Sequence, residues 1–196
     1  MKKKFPVVNY YSAKELAKFK FLHLGKNVFI KKNASLYFSE NISIGSNVRI
    51  DDNVIIVASN KNNPVKIGNY VHIASNCYLA GSCGIKLMDF SGLAPGVLIF
   101  SGSDDYSGSK LTNPIIDKKY VGGKSGEVIL SKHVIIGANS VILPNVKIEE
   151  GSSVGALSLV TKSLNSWGVY FGVPVKKLKN RSKELLNLEK KFLKDN

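Results

Sequence analysis

The chain has 196 residues, enough for one domain with a sizeable core. Its 28 basic and 14 acidic residues leave a net charge of +14, and no apolar run reaches the roughly 18 residues that a membrane helix needs. The charge is uneven: residues 1–32 hold nine lysines against one glutamate, residues 173–196 eight basic against three acidic residues, and the stretch between them is nearly neutral.

The first residues, MKKKFPVVNYY, begin like a secretion signal but lack its apolar core, so a cytoplasmic protein is expected. Residues 1–23 read as an N-terminal helical segment, with a helix over 10–22 and a capping box at Ser12 and Glu15. From Leu24 onward an aliphatic residue recurs at every sixth position within blocks, with resets between them: Leu24, Ile30, Leu36; Ile44, Ile50, Ile56; Ile67, Ile73, Leu79; Leu87, Leu93, Ile99; and, unbroken, Leu130, Ile136, Ile142, Ile148, Val154, Val160. A helix repeats its buried face every 3.6 residues and a strand every 2, so neither explains a period of six. Three residues after many of these aliphatics stands Asn (27, 33, 47, 53, 76, 139, 145) or Gly (96, 102, 151). These residue types tolerate left-handed backbone angles. Each hexad therefore reads as a short strand and a turn, and eighteen hexads predict an all-β solenoid of six stacked three-sided coils over 24–172.

Two segments interrupt the repeat. SNKNNP, 59–64, is a short polar excursion. DYSGSKLTNPIIDKKYVGGKSGE, 105–127, is a Gly- and Lys-rich insertion, and a long insertion in a compact solenoid marks a functional segment. The basic tail, 173–196, places Leu185, Leu188 and Phe192 on one face of a predicted helix that packs on the prism or on a neighbouring subunit.

Strand side chains alternate, so the residue between the small and the aliphatic inward positions points outward. That outward column holds His72 and Asp104. His133 falls in the turn column, where His tolerates left-handed angles. Cys77 and Cys83 fall in the small inward column and read as buried thiols, not as a disulfide or a metal pair. The histidines, at 23, 72 and 133, lack the close spacing of zinc ligands, so no metal is expected. The basic ends suit anionic small molecules better than nucleic acid, since no nucleic-acid-binding motif breaks the repeat.

The pattern [LIV]-G-x-x-[STAV]-x in IGANSV, IGSNVR and IGNYVH resembles the hexapeptide-repeat acyltransferases over roughly residues 24–179, most specifically in HVIIGANSVILPNVKIEEGSSVGALSLVTKS and GVPVKKLK. The resemblance implies a left-handed parallel β-helix, a homotrimer with active sites between subunits, and acetyl-CoA as co-substrate. It implies CoA contacts at Gly137–Ala138 and Gly155–Ala156, where backbone N–H groups would stabilise a tetrahedral oxyanion. Lys162, Lys176 and Lys177 would meet the CoA phosphates. Galactoside- and maltose-type members read APGV-I-Y-T-x-T-H, with the His as general base; this chain reads LAPGVLIFSGSDDYSG and sets Asp104 in its place. A hydroxyl acceptor benefits strongly from such a base, an amine less so. FSGSDDYSG, LTNP and WGVYFGVPVKKLKNRSK are similar to O-antigen and capsule acyltransferases, above all the dTDP-4-amino-4,6-dideoxyglucose N-acetyltransferases. That implies a nucleotide-linked amino sugar beneath the 105–127 loop, its ammonium held or deprotonated by Asp104 or Asp105. The alternative is an O-acetyltransferase on a sugar or polysaccharide hydroxyl, with His72 as base.

Overall fold

A computed structural model describes residues 9–195; residues 1–8, with the Lys2–Lys4 run, and residue 196 lie outside the described residues. Eighteen short strands wind six coils. They are His23–Leu24 (β1), Phe29–Ile30 (β2) and Ser35–Tyr37 (β3); Ile42–Ile44 (β4), Arg49–Ile50 (β5) and Ile55–Val57 (β6); Val65–Ile67 (β7), His72–Ile73 (β8) and Tyr78–Ala80 (β9). Then follow Ile85–Leu87 (β10), Gly92–Leu93 (β11) and Leu98–Phe100 (β12); Val128–Leu130 (β13), Ile135–Ile136 (β14) and Val141–Ile142 (β15); Lys147–Ile148 (β16), Ser153–Val154 (β17) and Leu159–Val160 (β18). Every third strand stacks in parallel into one of three faces, led by β1, β2 and β3. On the second face Gly168–Gly172 (β19) begins a seventh turn, and Val175–Asn180 (β20) folds back antiparallel and ends the parallel stack.

Each of the eighteen strands carries one hexad aliphatic. Sixteen are buried, and Leu24 and Leu36 at the first coil are partly so. Strands of two or three residues have no stability alone. They persist because each coil hydrogen-bonds to the next and buries its aliphatics in one continuous column, each worth about 1.5–3 kcal/mol relative to exposure. The corners need left-handed residues, and Asn27, Asn47, Asn53, Asn76, Asn139 and Asn145 take φ of 55–62°. Their amides also step from coil to coil, Asn27 donating to Asn47 at 3.0 Å and Asn53 to Asn76 at 3.2 Å. His133 has φ 61°, as its turn position predicts.

Two expectations change. The helix expected over 10–22 is a single turn, Ala13–Leu16 (α1), although its capping box forms, with Glu15 N–H donating to Ser12 Oγ and Ser12 N–H to Glu15. The chain leaves the helix early because Tyr11, Phe19 and Phe21 pack together against the core, and Leu22 N–H already bonds Ile42 O in the coil ladder. Cys77 is buried, and burial pushes its thiol up to about 11, but Cys83 is only half-buried, on the short turn from β9 to β10. The tail helix, Leu185–Lys194 (α2), packs on the prism as expected, with Glu189 paired to Lys132 and His133. Phe192 meets Tyr70 and Phe90 edge-on, whereas Leu188 is 65% exposed.

Candidate active site

The 105–127 insertion leaves the prism after β12 and returns before β13. Its neck is closed by backbone: Ser103 N–H donates to Lys124 O at 2.8 Å and Gly126 N–H to Ser101 O at 2.9 Å. Gly123 is obligatory there, since at φ 152° a Cβ would fall 1.9 Å from Ser103 O. Beneath the insertion lies a cavity of about 390 Å³, lined by Gly102, Ser103, Asp104, Asn113, Pro114, Val121, Gly122, Gly123, Lys124 and Ser125.

The two adjacent aspartates differ in what they hold. Asp105 accepts from Ser107 Oγ at 2.8 Å and from the N–H groups of Ser107, Ser109 and Lys110, which together hold its carboxyl below the usual range. It organises the loop. The Asp104 carboxylate is exposed, lines the cavity and has no ion-pair partner among the described residues.

His72 stands on the second face, half-exposed, with Nε2 2.7 Å from Asp51 Oδ2. Asp51 is buried and also takes Arg49 Nε at 2.6 Å. Burial pushes the Asp51 carboxyl up, but bonds from His72 and Arg49 outweigh it and hold the group below its ordinary value. Reading the sequence overlooked Asp51. The usable signal was the coil step, which sets Arg49 opposite His72 in register.

At the last coils, Gly137 and Gly155 sit on one corner, and Gly137 has a structural reason to lack a side chain: its Cβ would meet Ala156 N at 2.4 Å. The N–H groups of Gly137 and Gly155 donate to Val154 O and Tyr170 O, both at 2.8 Å. Coil stacking thus engages the glycines' donors, whereas among the described residues no such bond takes the N–H of Ala138 or Ala156. Lys177 is in register with Tyr170, and Tyr170 with Val154, so β20 brings Lys176 and Lys177 alongside this corner. Lys162 is exposed on the turn after β18. Leu157, in the corner after Gly155, and Phe171, on β19, present 67% and 50% of their surface to solvent. Asp104 and His72 stand on different parts of the prism, at the corner after β12 and on the second face.

Residues 127–162 match the family model described as bacterial transferase hexapeptide (six repeats). Over 178 residues, covering 91% of this chain and 92% of the relative, the sequence is 39% identical to a dTDP-4-amino-4,6-dideoxy-D-glucose acyltransferase of Escherichia coli. The chain belongs to the hexapeptide-repeat acyltransferases. Its solenoid is the left-handed parallel β-helix of that family. Among solved structures it is similar to AntD, an N-acyltransferase from Bacillus cereus, in complex with dTDP and 3-hydroxybutyryl-CoA: 47% identity over 95% of this chain and 97% of that one, with a TM-score of 0.91. A point variant of AntD in complex with dTDP-4-amino-4,6-dideoxyglucose and coenzyme A matches at 46% identity over 97% of this chain and 100% of that one, with a TM-score of 0.92. Among the described residues no group of three His, Cys, Asp or Glu is placed to hold a metal ion, and no helix is long and apolar enough to cross a membrane.

Proposed function

We propose that this acyltransferase moves an acyl group, acetyl in our reading, from a CoA thioester to the C4 amine of dTDP-4-amino-4,6-dideoxyglucose, a step in surface polysaccharide biosynthesis in the cytoplasm. The observation that carries the reading is the unpaired Asp104 carboxylate at the insertion cavity, where sugar O-acetyltransferases of the family carry a histidine base. A carboxylate suits an ammonium: it holds the sugar by a charge-assisted bond and takes its proton, which frees the amine lone pair. The nitrogen then attacks the thioester carbonyl. As the tetrahedral intermediate collapses the C–S bond breaks, the amide forms, and CoA leaves as a thiolate that takes up the remaining proton from nitrogen. The N–H groups of Ala138 and Ala156 are the donors available to the oxyanion, and Lys162, Lys176 and Lys177 suit the CoA phosphates.

A homotrimer with sites between subunits is part of the proposal. Tyr106 and Ile115 of the insertion are 93% and 91% exposed in the single chain, and a neighbouring subunit would cover them.

The deciding experiment follows thiol release from acetyl-CoA with dTDP-4-amino-4,6-dideoxyglucose and with the same sugar bearing a hydroxyl at C4. Turnover of the amine alone is expected. Preferred turnover of the hydroxyl would move the reading to an O-acetyltransferase.

A further inference from the structure

The corner from the first face to the second carries asparagine in the first two coils, Asn27 and Asn47, and rings in the next three. Tyr70, Phe90 and His133 stand there at φ of 57–61°, angles that bulky side chains rarely take. Their rings stack, Tyr70 on Phe90 at 4.7 Å and Phe90 on His133 at 5.2 Å between centroids. This ladder is the seat of α2. Lys183, just before the helix, lies over the Trp167 ring at 5.4 Å. Glu189 then meets His133, and Phe192 meets Tyr70 and Phe90, so the helix descends along the corner from the last coils.

Between α2 and the second face lies a groove of about 520 Å³. Gly92 and Ile135 line it from neighbouring strands of that face, and Leu185, Leu188 and Phe192 from the helix. Gly92 is the informative residue. Glycine weakens a strand, and it marks a bulge, a bend or the close approach of a ligand or another backbone. No bulge is present, since Gly92 pairs in register with His72 on one side and Ile135 on the other. Its φ lies outside the left-handed region, and a Cβ would meet only His72 O at 3.8 Å and Ile135 Cδ1 at 3.9 Å, ordinary contact distances. The surrounding chain gives no reason for glycine at this position; the open groove above it does.

The groove has a cation without a counterion. Arg181 lines it, with Nη1 donating to His133 O at 2.8 Å, Gly151 O at 3.0 Å and Ser152 O at 3.4 Å. Among the described residues nothing takes its Nε or Nη2 and no carboxylate pairs with it, because Glu189, the acidic residue of the groove, is held by Lys132 and His133. Burial alone acts on the guanidinium and pushes it below its ordinary value. Two N–H groups on one edge of a guanidinium match the two oxygens of a carboxylate. From His72 at one end to Ile135 the groove crosses two strand spacings, about 10 Å.

We propose that this groove is a ligand site separate from the acyl-transfer site, and that it takes a monocarboxylate with an apolar body of medium-chain fatty-acid size. The carboxylate meets the Nε and Nη2 edge of Arg181, and the body lies over Gly92 and Ile135 beside Leu188. Asp104 stands at the corner from the third face to the first, and Gly137 with Gly155 at the corner from the second to the third. The groove belongs to the remaining corner, so its occupancy is independent of the acceptor.

The test is calorimetric titration of the full chain with octanoate, acetate and 1-octanol, for wild type, Gly92→Ile, Leu188→Asp and Arg181→Lys. Wild type is expected to bind one octanoate per chain, and acetate and 1-octanol at least about tenfold more weakly. Gly92→Ile fills the floor with a good strand former and should weaken octanoate about tenfold or more, at an unchanged or higher melting temperature. Leu188→Asp, at an exposed helix position, should weaken it likewise without touching the strand. Arg181→Lys keeps the charge but loses the fork, and a similar loss is expected. Absence of octanoate binding to wild type, or wild-type affinity in both Gly92→Ile and Leu188→Asp, would overturn the site. Equal affinity for octanoate and 1-octanol, or wild-type affinity in Arg181→Lys, would overturn the carboxylate as the recognised group.

Discussion

His72 and Asp51 face each other across the step from one coil to the next, the imidazole half-exposed on the second face and the carboxylate buried beneath it, 2.7 Å from Nε2 to Oδ2. The pair orients an outward histidine, yet Asp104 belongs to the corner after β12. His72→Ala is therefore expected to leave acyl transfer to the amine intact. A loss of about 100-fold or more would instead mark a general base; steady-state kinetics with the amine and hydroxyl acceptors distinguish the two.

The same pair sets a pH dependence. The folded Asp51 carboxyl lies below its ordinary value, so the stability it contributes is present above that ordinary value, near 3.8, and is lost as pH falls through the folded one. Asp51→Asn is expected to destabilise the fold at pH 7 by about 1–3 kcal/mol, the scale of a buried bond to a charged group. The difference should shrink in acid, as measured by urea unfolding of both proteins at pH 7 and pH 3.

Asp104 and Asp105 should separate in experiment. Asp104→Asn keeps the shape but loses the charge, and is expected to lower kcat/KM for the amine by about 100-fold or more. Asp105→Asn loosens the turn that Ser107, Ser109 and Lys110 build on its carboxylate. Faster proteolysis within 105–127, at unchanged melting temperature of the solenoid, is the expected sign.

Glu15 offers a direct check on the N-terminal cap. The bond from Lys32 Nζ, at 2.7 Å, and those from Ser12 hold its carboxyl down to about 2. NMR titration should find its midpoint there, and Lys32→Met should raise it toward the ordinary glutamate value. A midpoint near that ordinary value in the wild type would mean that the cap is open in solution.

The core column gives the last prediction. Ile136 is fully buried, and Ile136→Ala is expected to destabilise by about 2–5 kcal/mol, against about 0.5–1.5 for Ile142→Val. Denaturant unfolding midpoints provide the measurement.

The sequence by itself determined the solenoid, because the structure is nearly one-dimensional. Each hexad meets only the hexads above and below it, so a period of six, kept within blocks from Leu24 to Val160, set the eighteen strands of the six coils, the inward aliphatics and the left-handed corners at Asn27, Asn139 and His133. Family motifs pointed to Asp104 for a similar reason, since its meaning lay in one contiguous stretch. The partnerships were decided by tertiary structure. Asp51 lies 21 residues from His72, and the coil step varies wherever an excursion enters, so no fixed spacing announces the pair. Asp105 and Asp104 are neighbours in sequence, yet the fold of the insertion alone makes one a loop organiser and leaves the other open to the cavity. Cys83 shares its hexad position with the buried Cys77, but it stands on the short turn from β9 to β10 and is only half-buried. Lys66 and Lys86 come to stand opposite one another on neighbouring strands only once the coils are stacked, because residues of separate coils meet only then.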